Sequence, residues 1–125
     1  MYLVDGNNVM GQCVGWHRDK VAAKKRLLRE LAVLHRSGNK EVTVVFDGGP
    51  FDDVSDGELL DGVSVYFARH GSDADHRMLE LVRNAPEPSR IIAVTSDRLL
   101  DDQLRELGAQ TVRSGRFRKS LEEET

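Results

Sequence analysis

Four aspartates stand where a parallel sheet would deliver catalytic groups. Asp5 closes the apolar run Tyr2–Asp5, Asp47 follows Val42–Phe46, and Asp97 follows Ile91–Thr95. The fourth, Asp75, sits at the start of a helical stretch reached from Val63–Phe67 through residues 68–72. In an open parallel sheet, ligands bind beyond the carboxyl ends of the strands. Four acids from distant parts of the chain therefore converge on one edge. Their mutual repulsion in a low-dielectric cleft is several kcal/mol unless something compensates it. A divalent cation is the natural compensation. An all-oxygen donor set suits Mg²⁺ or Mn²⁺, which keep waters and bridge carboxylates to substrate phosphates. Asn7 and Asn8 directly follow Asp5 and are placed to hydrogen-bond a carboxylate, a water or a phosphate oxygen.

Helix geometry separates Asp75 from its neighbour Asp73. At 100° per residue Asp75 shares a face with Met78, Leu79 and Val82, which must pack on the sheet, whereas Asp73 points to water. The same test puts Asp97 near the stripe of Leu100, Leu104 and Leu107, where a buried charge needs a partner. Each acid also has an ordinary structural use. Ser96 and Asp97 are good N-caps. Ser72-Asp73-Ala74-Asp75 fits a capping box. Asp5-Gly6 and Asp47-Gly48 can be plain turns.

The elements that must position these groups alternate between strand and helix periodicity. Helices are expected from about Lys20 to Arg36 with a stop at Gly38, from Asp73 to about Asn84 ahead of Pro86, and over Asp97–Leu107. Strands are expected at Tyr2–Asp5, Val42–Phe46, Val63–Phe67, Ile91–Thr95 and, briefly, Gln110–Arg113. Nearly continuous apolar strands separated by helices indicate a parallel sheet covered on both faces. The expected fold is a three-layer α/β/α sandwich with a mainly parallel sheet of about five strands. Asp5-Gly6-Asn7-Asn8 reads as a loop, and the acidic, Gly-rich 48–62 segment as a mobile one. The domain is expected over residues 1–113, with 114–125 a polar tail that frays.

Composition narrows the class further. The chain has 125 residues, 39% hydrophobic and 31% charged, which suits one soluble globular domain. No apolar run reaches the roughly 18–20 residues of a membrane span, and the N-terminus lacks signal-peptide features. The lone Cys13 excludes an internal disulfide framework and a Cys-rich zinc site, and a reducing cytoplasm is the simplest setting. The net charge of −3 gives no overall pull toward nucleic acid. The distribution is uneven, however. Arg18, Lys20, Lys24, Lys25, Arg26, Arg29, Arg36 and Lys40 crowd the first long helix and its flanks, and Arg113, Arg116, Arg118 and Lys119 form a second group. A local positive face binds phosphates regardless of the total. Arg18 and Lys24 on that face, Arg98 beside Asp97, Arg69 and His70 on the approach to Asp75, and Asn7 after Asp5 are the candidate phosphate contacts. Trp16 is a candidate for stacking on a base.

Taken in order, Tyr2–Val9, Val44–Gly48, Gly71–Asp75 and Val94–Arg98 resemble the NYN domains of the PIN-like superfamily, most nearly the YacP-like branch, which includes ribosome-associated endoribonucleases. The resemblance implies a PIN-type sheet and metal-dependent cleavage of RNA phosphodiester bonds. It implies catalytic roles for Asp5, Asn8, Asp75 and Asp97. The metal ligands it implies are Asp5, Asp75 and Asp97, with Asp47 as an outer group. Asn7 stands where members often carry a bulky residue and Asp73 where they carry Thr. Members tend to extend further at the C-terminus, so a basic tail used on RNA is expected to be short or absent. The implied partners are RNA, single-stranded or messenger, and the ribosome. The rival expectation is a non-catalytic RNA- or ribosome-binding module of the same fold. Receiver and aspartyl-phosphatase patterns fit poorly. Asn7 stands where a phosphatase has its second Asp, and no Lys follows the last strand. The four histidines show no zinc spacing.

Overall fold

The computed structural model describes residues 1–51, 54–69 and 71–124. Six strands form one sheet: β1 (Tyr2–Asp5), β2 (Val42–Phe46), β3 (Glu58–Leu60), β4 (Val63–Phe67), β5 (Ile92–Val94) and β6 (Gln110–Val112). Their order is β3-β4-β2-β1-β5-β6, and every pairing is parallel except β3 with β4. Five helices surround it: α1 (Gly6–Met10), α2 (Lys20–Gly38), α3 (Ala74–Arg83), α4 (Arg98–Glu106) and α5 (Ser114–Glu124).

Strand alternation assigns the layers. Val4, Val44 and Phe46 face a core shared with Leu27 and Leu31 of α2 and with Phe117 and Leu121 of α5. Leu3, Val45 and Ala93 face the opposite core, with Met78 and Val82 of α3 and Leu100 and Leu104 of α4. This period-2 division between two helical layers is the expected α/β/α sandwich. The chain winds outward from β1 through β2 to β4, then returns to the other side of β1 for β5 and β6. The carboxyl ends of β1 and β5 flank that reversal, which is where this architecture opens a binding crevice.

Four local expectations are corrected. The segment after Asp5 is a helix and not a loop. Val9 and Met10 are buried there, and tertiary packing overrides the weak propensity of Gly6, Asn7 and Asn8. A Cβ on Gly6 would lie 2.6 Å from the Phe46 ring and 3.0 Å from the Val45 carbonyl oxygen, so only glycine lets α1 pack this closely on β2. The supposed mobile segment contains β3, a three-residue edge strand held by antiparallel pairing with β4. The helix α2 runs through Gly38, and Asn39 takes the left-handed terminal position at φ 48°. Residues from Ser114 do not form a fraying tail. They fold as α5, because Phe117 and Leu121, one turn apart, are both buried against α1 and α2. No helix among the described residues is long and apolar enough to cross a membrane.

Candidate active site

Asp5 is the last residue of the central strand and is almost completely buried. It precedes α1 without capping it through its side chain. Its carboxylate takes a hydrogen bond at Oδ2 from the Thr95 hydroxyl, at 2.9 Å. Burial raises its pKa from 3.8 to about 7; the negative charges of Asp75 and Asp47 add to the rise, while the Thr95 bond and the backbone of Asn8 oppose it. No cationic side chain among the described residues pairs with this acid. A buried carboxylate surrounded by like charge is a site of poised ionisation.

Asp75 occupies the first turn of α3, half-buried, while Met78, Leu79 and Val82 on its face are inside. Asp73 is exposed and caps the helix by accepting the His76 N–H at 3.0 Å. The face argument from the sequence thus holds. The Ser72 capping box does not, since Asp73 takes the cap. Burial raises the Asp75 pKa, and the charges of Asp97, Asp73 and Asp47 raise it further. The four acids therefore sense one another around Asp75.

Asp47 and Asp97 are exposed and each has a structural duty. Asp47 Oδ1 accepts the Ala74 N–H at 3.0 Å, which ties the start of α3 to the end of β2. Asp97 Oδ1 accepts the Leu100 N–H at 3.1 Å and caps α4. The expectation that Asp97 is buried with its helix stripe is corrected: as the cap residue, it lies outside the stripe formed by Leu100 and Leu104. The described residues hold no group of three His, Cys, Asp or Glu side chains close enough to grip a metal ion. The expected direct cage of Asp5, Asp75 and Asp97 is therefore not preformed in these side-chain positions. The donor chemistry still suits a hard cation, because Mg²⁺ is commonly held through one or two carboxylates plus waters.

The asparagines serve the scaffold. Asn7 Oδ1 accepts the Asp47 N–H at 3.0 Å. Asn8 Oδ1 accepts both the Ser96 N–H at 2.9 Å and the Ser114 hydroxyl at 2.5 Å, so it joins the ends of β1, β5 and β6. Removing that acceptor strands two partly buried donors, each costing about 1–3 kcal/mol. Asn8→Ala is therefore expected to lower unfolding free energy in urea by about 2 kcal/mol or more. A loss within experimental error would show that water replaces the amide without penalty.

Among the RNA candidates, Lys24 senses the charge of Asp47. Its ammonium sits 5.6 and 5.2 Å from the centres of the Phe46 and Phe51 rings. Burial lowers its pKa, and the charge of Asp47 partly restores it. Arg98 is exposed in the first turn of α4, with no ion pair among the described residues. The Arg69 guanidinium pairs with Glu80 at the surface, with Nη2 at 2.8 Å and Nε at 3.3 Å from the carboxylate. Arg118 is not on the basic face, because it is buried against Glu30. Arg18 is exposed, away from the acid edge beside Trp16. His70 lies outside the described residues. Sequence reasoning missed Thr95, Ser96 and Ser114. All three follow strands at the same edge that singled out the acids, and that rule applied to hydroxyls would have found them.

A six-stranded, mostly parallel sheet with acids at its switch point makes this a PIN-like α/β fold. The family model described as YacP-like NYN domain matches residues 2–125. The chain belongs to that family. Two solved structures share the fold: crystal structures of Rae1 (YacP) from Bacillus subtilis, one of them a point mutant. The mutant superposes with a TM-score of 0.79 at 23% identity, covering 98% of this chain and 74% of that one. The other gives 0.78 at 24% identity, over 99% and 74%. No curated protein matches the chain.

Proposed function

We propose that this chain is an endoribonuclease that hydrolyses RNA phosphodiester bonds with Mg²⁺ or Mn²⁺, acting in the cytoplasm on messenger RNA at the ribosome. The observation that carries this reading is Asp5, a buried carboxylate with its pKa near 7, next to further acids at the sheet's switch point. A pure RNA binder gains nothing from negative charge gathered where a polyanion must lie. The YacP-like NYN family and the fold shared with Rae1 support the same substrate class.

Asp5 and Asp75, with Asp47 and Asp97 beyond them, would hold the cation. The chemistry such an ion would supply is neutralisation of charge on the scissile phosphate and acidification of a nearby water. The protein's own residues do the positioning. Thr95 fixes one oxygen of Asp5. Asp47 anchors the turn that carries Asp75. Asn8 holds Ser96, and with it the approach to Asp97 and Arg98. Arg98 offers a positive charge to a phosphate at the rim.

The second reading is the non-catalytic module, because among the described residues no three acids stand ready as a cage. A single-turnover assay separates the two. Wild type is expected to cut single-stranded RNA with Mg²⁺ or Mn²⁺ and not with EDTA, and Asp75→Asn is expected to lose at least a hundredfold in rate. Unchanged cleavage in Asp75→Asn rejects the site. RNA binding without cleavage by wild type, with or without ribosomes, establishes the second reading.

A further inference from the structure

A pocket of about 340 Å³ opens beyond the far end of α1, away from the acids. Trp16, the buried Met10 and Leu27, and the exposed Arg18, Arg26 and Arg29 are among the residues that line it. Arginines outnumber the acid in the lining, Asp19, whose carboxylate caps α2 by accepting the Ala22 N–H at 3.0 Å. Glu30, the nearest acid on α2, is occupied by the buried Arg118 and only approaches Arg26, at 3.8 Å. Arg18 and Arg29 make no ion pair among the described residues and are exposed. Apolar side chains, an indole and unpaired guanidiniums are the parts that receive a nucleotide: the base stacks on the aromatic ring and the phosphate meets the arginines. The helix α1 begins directly after Asp5, and Met10 is its last residue. Five helical residues span about 7 Å, so the pocket lies one or a few nucleotides along a strand from the acid edge.

We propose that this pocket is a subsite for an unpaired nucleotide of the RNA strand, which anchors the strand while the acid edge acts on a neighbouring phosphate. The proposal deepens the nuclease reading and rests on it for the identity of the strand, but its test does not need cleavage. Trp16 is the sole tryptophan, so its fluorescence reports this pocket directly. In EDTA, a six-nucleotide single-stranded RNA is expected to quench that emission at concentrations at least tenfold below those needed by AMP. Polyphosphate, which has charge and no base, should leave it unquenched. Arg18→Glu with Arg29→Glu, both at exposed positions, should weaken oligonucleotide binding at least tenfold. The same pair should flatten its dependence on log salt by about one unit, the loss of one or two phosphate contacts.

Equal potency of AMP and the oligonucleotide would make this a free-nucleotide site and overturn the strand subsite. Quenching by polyphosphate, or binding unaffected by the double substitution, would also overturn it. Quenching and its loss as expected, in a chain that cuts no RNA, would uphold the pocket while rejecting the nuclease.

Discussion

Asp5→Asn is expected to make the metal-free protein more stable at pH 8 by about 4 kcal/mol while abolishing the proposed RNA cleavage. Folding raises the pKa of Asp5 from 3.8 to about 7, chiefly by burial. The folded chain therefore keeps a proton that the unfolded chain has released, and stability falls as pH climbs from about 4 to about 7. Above that window the whole penalty is present, because each tenfold change in proton affinity between the two states is worth about 1.4 kcal/mol. Asparagine has no charge to desolvate, and its amide oxygen can still accept from Thr95. The expected signature in EDTA is two urea curves that nearly coincide at pH 4 and separate at pH 8, with the variant unfolding later. Asp75, whose pKa is also raised by burial, acts in the same direction. Adding Mg²⁺ at pH 8 should stabilise wild type and not the variant, because a bound ion replaces the missing proton. A variant less stable than wild type at pH 8 would mean that Asp5 is already compensated within the protein. The cation would then have no electrostatic reason to bind.

The second large effect lies across the sheet, where α5 meets α2. Arg118 donates from Nη1 to Glu30 Oε1 at 2.7 Å and from Nη2 to Glu30 Oε2, and its Nε reaches Glu122 at 3.4 Å. The Arg118 and Glu30 side chains are 5% and 9% exposed, so neither charge has water to fall back on. Arg118→Met leaves the buried Glu30 with only Arg26, at 3.8 Å, and is expected to cost about 3–5 kcal/mol. Arg118→Met combined with Glu30→Leu removes both charges and is expected to recover most of that loss, since an apolar pair of similar volume packs there without desolvation. A double-mutant cycle in urea measures this directly. Two single losses that simply add in the double variant would show that the bidentate contact contributes nothing beyond packing.

The sequence made the parallel strands and the carboxyl-edge acids legible because both depend on short-range pattern. A β-branched run closed by Asp needs no partner to be recognised, and the face shared by Asp75, Met78 and Val82 follows from the helical period alone. Elements that depend on distant contacts were hidden. The three residues of β3 acquire their conformation from β4. The helix α1 forms over Gly-Asn-Asn because Val9 and Met10 find a core. The helix α5 looked like a solvated tail because Arg118 counted as a surface charge until Glu30 was seen beside it. The roles within the site divided in the same way. The position of Asp5 was readable, but the Asp47 bond to Ala74 and the Asn8 bond to Ser114 join residues far apart in the chain.

That last bond has a consequence for how the protein folds. The central strand β1 pairs with β5, about ninety residues further along the chain. Asn8 completes its two bonds only when Ser114 docks beside Ser96. Such long-range closure is slow to form. The acid edge therefore takes its final shape late in folding, after the helices and the local strand pairs are in place.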